Sequence, residues 1–294
     1  MGAIPTDFPP PLPDSSGFVA PPVPRPAAAI LAFARAAAGN PAAAVRVTAR
    51  GTMLLGAALL CVPLHLTWQL LGRRLGVESP WARRFLAWGA RACGIRVRSI
   101  GQPAARDVFF IANHLSWTDA LILGGQTGAV FVAQDGIAQW PGIGFLCRVN
   151  DTIFVNRSDR MGVARQIAAV RAVFAGRSRV AMFPEATCSD GRRLLPFKAP
   201  LFAMLAPPPL PEAVIQPVVI DPDEAGRELA WVGMETGAAN AWRLLARRGT
   251  WEARVHFLPA FSPAETPDRK ALSARARSAI AAKLSETLGG RPVI

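Results

Sequence analysis

The sequence predicts an α/β domain, with a central mixed sheet flanked by helices, behind an N-terminal helical segment. Beyond residue 96, short runs of β-branched and aromatic residues alternate with helical stretches, which is typical of α/β domains. Before it, the 22 residues from Gly51 to Gly72 carry no charged side chain, and a helix of that length just spans the hydrocarbon core of a bilayer. We expect a flexible tail and lead-in at residues 1–47, membrane-anchoring helices at 48–96 and the α/β domain at 97–294.

The net charge of +13 is concentrated around the apolar segment. Residues 15–106 carry twelve Arg and one acid, whereas residues 107–294 carry 21 bases and 17 acids. With 51% hydrophobic residues the chain is not a disordered polyelectrolyte, and its four scattered cysteines lack disulfide-framework or metal-site spacing. A basic protein can bind nucleic acid, but a basic collar beside an apolar stretch favours an anionic membrane surface. We therefore expect an anionic membrane as partner, reduced cysteines and no nucleic acid.

The anchoring segment contains two predicted helices. Pro63 would kink the first, so either a marginal transmembrane helix or a bent, half-inserted one fits. The second would present one apolar face made of Trp81, Phe85, Trp88, Ala92 and Ile95. Such a face, flanked by Arg84 and Arg91, suits the headgroup boundary or an ordinary core-facing helix, and we favour the boundary.

The strands and helices of the α/β domain follow in order. Six runs are predicted to be strands: Val108–Ala112, Val130–Ala133, Thr152–Val155, Val180–Phe183, Ile215–Ile220 and Val255–Leu258. One helical face is marked by Val163, Ile167, Val170 and Phe174 and ends near Gly176. At the last helix, we expect Thr266 to be the cap, Pro267 the first residue and Asp268 an acid of the first turn.

The first predicted strand runs directly into a segment that carries chemistry. Ser116 and Asp119 have the spacing of a capping box that opens a helix at Trp117, which leaves His114 in the preceding loop. A carboxylate bonded to one ring nitrogen fixes the tautomer and leaves the other nitrogen free to take a proton. Because this pair lacks a nucleophile of its own, we expect a substrate hydroxyl to attack. Asn113 and Ser116 are expected to shape the loop.

These residues resemble the first motif of the glycerolipid acyltransferases, typified by bacterial 1-acyl-glycerol-3-phosphate acyltransferase. Three further blocks follow in the family's order. Asp151–Arg157 resembles Gly-x-Ile-Phe-Ile-Asp-Arg, Phe183–Ser189 resembles Phe-Pro-Glu-Gly-Thr-Arg-Ser, and Ile215–Val218 resembles Val-x-Pro-Val. Four blocks in order make the resemblance specific, and it covers residues 95–260.

The resemblance implies transfer of an acyl chain from a thioester of acyl carrier protein or coenzyme A to a lipid hydroxyl. It implies no metal or other cofactor, and a place at the cytoplasmic face of a bacterial-type inner membrane, as an integral or monotopic protein. His114 would be the general base and Asp119 its orienting partner. The residues that would bind or shape the site of an anionic acceptor are Arg157, Glu185, Thr187 and Lys198.

Three residues depart from the family's blocks. Asp151 and Ala186 stand where the family has Gly, and Cys188 stands where it has Arg. An added Asp and a lost Arg weaken the case for a phosphate headgroup, although Arg192, Arg193 or Lys198 could replace the missing cation. We expect 1-acyl-glycerol-3-phosphate as the acceptor, giving phosphatidic acid. The alternatives are lyso-ornithine lipid, the zwitterionic acceptor of a related branch, or another lysolipid, and a non-catalytic membrane-bound lipid-binding protein.

Overall fold

The computed structural model describes residues 35, 37–72, 79–140, 142–155 and 163–293. Within them, seven strands form one sheet in the order β1-β7-β6-β2-β5-β3-β4. Neighbouring strands are parallel except β6 and β7, which are antiparallel. The strands are β1 Ile95–Ile100, β2 Val108–Ala112, β3 Val130–Gln134, β4 Ile153–Val155, β5 Arg179–Met182, β6 Val214–Pro222 and β7 Trp251–Phe257. The predicted fold class, with its mixed sheet, is confirmed.

Helices cover both faces of this sheet. They are α1 Pro41–Gly72, α2 Pro80–Ala92, α3 Thr118–Thr127, α4 Ile143–Val149, α5 Val163–Arg177, α6 Glu224–Arg227, α7 Gly237–Ala246 and α8 Arg269–Thr287. Side chains of α2, α3 and α7 pack on one face with Phe110 of β2, and those of α5 and α8 pack on the other with Phe109. Because side chains alternate along a strand, the central strand β2 feeds both cores, and all five of its residues are buried.

The sheet begins at a strand that the sequence analysis placed on a helix. Ile95 does not continue the apolar face of α2, because α2 ends at Ala92 and Gly94 adopts φ 78°, the left-handed conformation that commonly ends helices. Ile95 instead opens β1, which pairs with β7. The cap of α8 also differs from expectation: Asp268, rather than Thr266, accepts hydrogen bonds from the backbone N–H groups of Lys270 and Ala271, at 2.7 and 2.9 Å.

Helix α2 is enclosed by other helices. It packs between α1 and α3, so closely that a Cβ added at Gly125 of α3 would lie 2.9 Å from the backbone of Ala87. Trp81 and Phe85 are half-buried and Ala92 is buried. The α2 side chains that reach the core are Leu86 and Ala90, and the headgroup boundary for Trp81, Phe85 and Trp88 stays a prediction.

Helix α1 is fastened to the domain near both ends. Arg46 donates to the carbonyl of Ala246 at 2.6 Å, and Arg50 donates to the carbonyls of Leu244 and Gly249 at 3.0 and 2.7 Å, which lie at and after the end of α7. Near the other end, His65 is 2% exposed, and one ring nitrogen lies 2.7 Å from the Ser79 hydroxyl while the other lies 3.1 Å from the Val149 carbonyl.

The opposite side of α1 is apolar and bare. Its exposed large side chains are Val45, Met53, Leu55, Leu59, Leu60, Leu66, Leu70 and Leu71. Judged by length and composition, it is the single helix in the described part of the chain that could cross a membrane. It begins at Pro41, within the segment predicted as lead-in, and continues through Pro63.

Candidate active site

The loop that carries His114 is pinned at the carboxyl end of β2. Asn113 is fully buried, and its side chain exchanges two hydrogen bonds with the backbone of Ile220 in β6, at 2.9 and 2.8 Å. An amide side chain paired in this way continues the hydrogen bonding between β2 and β6 after the strand has ended. The structure thus places Asn113 as a brace between two neighbouring strands.

His114 and Asp119 form a close pair. The ring Nδ1 of His114 lies 2.8 Å from Oδ2 of Asp119. The same oxygen accepts hydrogen bonds from the backbone N–H groups of Leu115 and Ser116, at 2.6 and 2.9 Å. Asp119 has a side chain only 3% exposed, whereas that of His114 is 21% exposed. Since Nδ1 is engaged, Nε2 is the ring nitrogen that remains for a reacting group.

Helix α3 begins one residue later than expected, at Thr118. The hydroxyl of Ser116 accepts from the backbone N–H of Thr118 at 3.1 Å, and Asp119 accepts from the backbone N–H of Ser116. Only the carboxylate half of the predicted capping box is therefore present. That half is what turns Asp119 back toward His114.

Glu185 supports the backbone of the same loop. Its Oε1 accepts from the His114 N–H at 2.7 Å and its Oε2 from the Leu195 N–H at 2.8 Å. The side chain lies on the loop after β5 and is 2% exposed. Burial raises the pKa of Glu185 to about 8, against the opposing effect of the two N–H donors. The expected pocket residue thus has both oxygens engaged by the backbone.

Residues that the sequence analysis did not single out complete the surroundings of His114. Phe183 stacks on the imidazole with ring centroids 4.4 Å apart, and Phe131 lies 5.9 Å behind it. The backbone N–H of Ser189 donates to the His114 carbonyl at 2.7 Å. Phe183 and Ser189 are the first and last residues of the third sequence block, which was the available signal for both.

The protonation of His114 reflects opposing influences. Burial lowers the pKa of the imidazole, but the hydrogen-bonded neighbours Cys188 and Asp119 raise it, and the result lies well above the ordinary value of 6.5. Cys188 is half-buried, and its thiol is not part of a disulfide. The residue that replaces the family's Arg therefore lies beside the base.

Comparison with known proteins shows the family to which the chain belongs. A family model described as Acyltransferase matches residues 95–221. A lyso-ornithine lipid O-acyltransferase from Rhodobacter capsulatus is 31% identical over 80% of this chain and 88% of that protein. The chain belongs to the acyltransferase family.

This acyltransferase is also similar to a second kind of curated relative and to a solved structure. A 1-acyl-sn-glycerol-3-phosphate acyltransferase from Neisseria meningitidis is 30% identical over 64% of this chain and 74% of that protein. The crystal structure of a 1-acyl-sn-glycerophosphate acyltransferase from Thermotoga maritima shares the fold, with a TM-score of 0.57 at 17% identity, over 85% of this chain and 98% of that one. The resemblance found in the sequence is confirmed.

Two departures from the family's blocks have a conformational consequence in this acyltransferase. Asp151 and Ala186, which replace glycines, adopt φ 54° and 69°. This left-handed region favours glycine, tolerates Asp and costs a residue such as Ala about 1–2 kcal/mol. The backbone conformation that the glycines suit is thus kept at both positions.

The cations expected to bind an anionic headgroup occupy different environments. Arg192 is paired with Glu224, and Arg193 with Asp190 at 3.0 Å. Lys198 lies beside the third block, where its backbone N–H donates to the Pro184 carbonyl at 2.9 Å. Thr187 is half-buried on the same loop. Arg157 lies outside the described residues.

The described ranges contain no group of three or more His, Cys, Asp or Glu side chains placed to hold a metal ion.

Proposed function

We propose that this acyltransferase moves an acyl chain from a thioester to the free hydroxyl of a lysolipid, with His114 as the general base. The observation that carries the proposal is the 2.8 Å contact between His114 Nδ1 and Asp119 Oδ2. A carboxylate there holds the tautomer in which Nε2 accepts a proton, and it stabilises the imidazolium that forms. A base placed in this way contributes about 10²–10⁴-fold to the rate.

The reaction needs one proton to move twice. The acceptor hydroxyl oxygen attacks the thioester carbonyl carbon while Nε2 of His114 takes the hydroxyl proton. The tetrahedral intermediate collapses, the carbon–sulfur bond breaks, and the departing sulfur takes the proton from His114. The products are the diacylated lipid and the free thiol of acyl carrier protein or coenzyme A, and no resident cofactor is required.

Charge around the loop supports a zwitterionic acceptor, lyso-ornithine lipid, ahead of the phosphate acceptor ranked first from sequence. The cations of residues 190–193 are each matched by a carboxylate, and Arg at the third block is replaced by Cys188. A phosphate favours unmatched cations and bidentate Arg contacts, whereas an amino-acid headgroup can exchange its carboxylate and ammonium with existing ion pairs. The lyso-ornithine relative also covers more of this chain than the 1-acyl-sn-glycerol-3-phosphate relative does.

Lysophosphatidic acid is the second candidate acceptor. It is supported by Arg157, which stands at the Arg of the second block, and by the Neisseria relative. An anionic phosphate at this Arg would give phosphatidic acid as the product.

Membrane attachment follows from the bare apolar face of α1. Because α1 is fastened to the domain near both ends, we propose that it lies along the bilayer surface with this face in one leaflet, rather than crossing it. A thioester donor and four free cysteines favour the cytoplasmic leaflet, since the cytoplasm keeps thiols reduced.

An acceptor panel tests the proposal. Purified full-length protein is mixed with radiolabelled acyl thioester, on either carrier, and with vesicles that contain lyso-ornithine lipid or lysophosphatidic acid. We expect faster acylation of lyso-ornithine lipid and no acylation by the His114→Ala variant. Faster acylation of lysophosphatidic acid would reverse the order of acceptors, and an active His114→Ala variant would refute the base.

A further inference from the structure

Large apolar side chains are exposed elsewhere than on α1. Among the described residues, the large ones outside α1 are Ile100 and two close pairs. Ile143 and Phe145 lie in the first turn of α4 and are 45% and 51% exposed, and Val232 and Met234 lie in the turn before α7 and are 44% and 94% exposed. Such a cluster on a soluble surface marks an interaction site.

The two pairs belong to one surface. Trp140, just before α4, and Trp231, just before the exposed turn, have ring centroids 6.0 Å apart. Gly237, the first residue of α7, lies so close that an added Cβ would be 2.7 Å from the Trp140 ring. We call residues 140, 142–145 and 231–234 together the apolar rim.

The apolar rim touches the catalytic loop. The backbone N–H of Trp231 donates to the carbonyl of Leu115, the residue after His114, at 2.8 Å. Trp117, two residues further on, donates through its indole N–H to Asn240 of α7 at 3.1 Å. The rim is therefore hydrogen-bonded to the residue next to His114.

The apolar rim is also continuous with α1. Helix α4 begins in the rim and ends at Val149, whose carbonyl lies 3.1 Å from the ring of His65 on α1. Helix α7 begins at the rim and ends where Arg46 and Arg50 of α1 bind its last carbonyls. Two helices thus connect the rim to the two ends of α1.

We propose that the apolar rim is a second bilayer-inserting element, which with α1 frames the path of the lysolipid to His114. This proposal rests on the proposed function. The occupant is a phospholipid leaflet because α4 and α7 join the rim to α1, whose exposed large side chains are also apolar. Tryptophans at its base also suit the headgroup level, and the exposed Arg148 on α4 can reach phosphates from there.

The experiment compares one acceptor class in two physical forms. The variant carries Val232→Asp and Met234→Asp, and the matched control carries Ile100→Asp. Ile100 is likewise an exposed apolar residue, but it ends the edge strand β1, which is separated from β2 by β7 and β6. Each protein is assayed with a long-chain lysolipid in anionic phospholipid vesicles and with a short-chain lysolipid dissolved as monomers.

We expect the double variant to lose about tenfold of its activity on the vesicle-borne acceptor, since two apolar side chains no longer enter the leaflet. The activity of the double variant on the dissolved acceptor should stay within about twofold of wild type, since no leaflet is involved. Both activities of the Ile100→Asp control should also stay within about twofold, since Ile100 is not part of the rim. Unchanged vesicle activity, or an equal loss on both acceptors, would overturn the proposal.

A second measurement does not depend on acyl transfer. Amide hydrogen exchange of the wild-type residues 231–236 is followed with and without acceptor-free vesicles, and we expect slower exchange when vesicles are present. Unchanged exchange there would overturn the proposal. If no lysolipid is acylated by any protein while exchange still slows, the proposed function fails and the membrane contact stands.

Discussion

Replacing Asp119 by Asn removes a charge while leaving the local hydrogen bonds in place. Oδ2 of Asp119 receives three donors, His114 Nδ1–H and the backbone N–H groups of Leu115 and Ser116, at 2.8, 2.6 and 2.9 Å. A carboxamide oxygen in the same place accepts all three. The loop is therefore expected to keep its shape, and the variant isolates the effect of the negative charge on the imidazole.

The size of the effect follows from the contact. A hydrogen bond to a charged group is worth about 1.5–3 kcal/mol, and opposite charges about 4 Å apart interact by about 4 kcal/mol at an effective dielectric constant of 20. Both groups are well buried, with side chains 21% and 3% exposed. If most of this energy stabilises the imidazolium in the transition state, kcat falls by between about tenfold and about a thousandfold.

The pH profile gives an independent reading of the same contact. His114 has a pKa above 6.5, since Cys188 and Asp119 outweigh the lowering effect of burial. The base must be neutral to take a proton, so activity rises with pH through that raised pKa. In Asp119→Asn the inflection moves to lower pH, because a source of stabilisation of the protonated ring is gone.

The assay is initial rate against pH with the purified full-length protein on lysolipid vesicles, alongside thermal unfolding. Asp119→Ala serves as the contrast, since it also strands the N–H groups of Leu115 and Ser116 and should lower the melting temperature. An Asp119→Asn variant with kcat within threefold of wild type and an unmoved inflection would refute the role given to Asp119.

Three further outcomes are expected. Burial raises the pKa of Glu185 from 4.5 to about 8, so the folded state binds more protons than the unfolded state between these values and loses stability as pH rises. Glu185→Gln mimics the neutral carboxyl and lacks this dependence, so the melting temperature of wild type should fall relative to that of the variant from pH 5 to pH 8.5; a constant difference would contradict the raised pKa. Ala186→Gly, at φ 69°, should raise the free energy of unfolding by about 0.5–1 kcal/mol, measured by denaturant titration; a decrease would contradict the strain. Cys188→Ser should stay active and resist N-ethylmaleimide, which inactivates the wild type by modifying the thiol beside His114; a serine variant as inactive as His114→Ala would make the sulfur part of the chemistry.

The strands could be predicted because most of them are buried. Runs such as Val108–Ala112 are apolar throughout, and a strand buried on both faces has no other composition. Strand β1 escaped prediction since it lies at the sheet edge with Arg96 and Arg98 exposed. Ile95 also continues the helical spacing of α2, so that only Gly94 distinguished a helix end from a longer helix.

The catalytic pair could be predicted because its parts lie five residues apart. Their spacing, together with the turn signal at Ser116, places the carboxylate near the ring without any long-range contact. The engagement of Glu185 by the His114 backbone spans 71 positions in sequence and depends on how β5 lies beside β2. No local pattern contains that information, and the sequence could assign Glu185 to the site without assigning its contact.

The reason why the family's blocks have glycine at positions 151 and 186 could not be predicted from the sequence. Asp151 and Ala186 differ from the family pattern in chemistry, and from the sequence alone an added Asp counts as an electrostatic change near the acceptor. Their positive φ values show that both places adopt a backbone conformation that suits glycine. What distinguishes the acceptor must then be sought in side chains rather than in the backbone, and Cys188, beside His114, is the third departure from the family's blocks.

Three residues hold His114 in place, and they are not the residues that are expected to select the acceptor. The backbone N–H of His114 is held by Glu185, its carbonyl by Ser189, and its ring Nδ1 by Asp119. Two of these contacts come from the loop after β5 and one comes from α3, so the base is positioned before any substrate arrives. Groups positioned in advance contribute most to electrostatic and orientational catalysis. None of these three contacts involves the ion pairs of residues 190–193 or the apolar rim. The acceptor's headgroup and its membrane surroundings can therefore differ between relatives without moving Nε2, because the groups that hold His114 are distinct from the groups that the lipid meets.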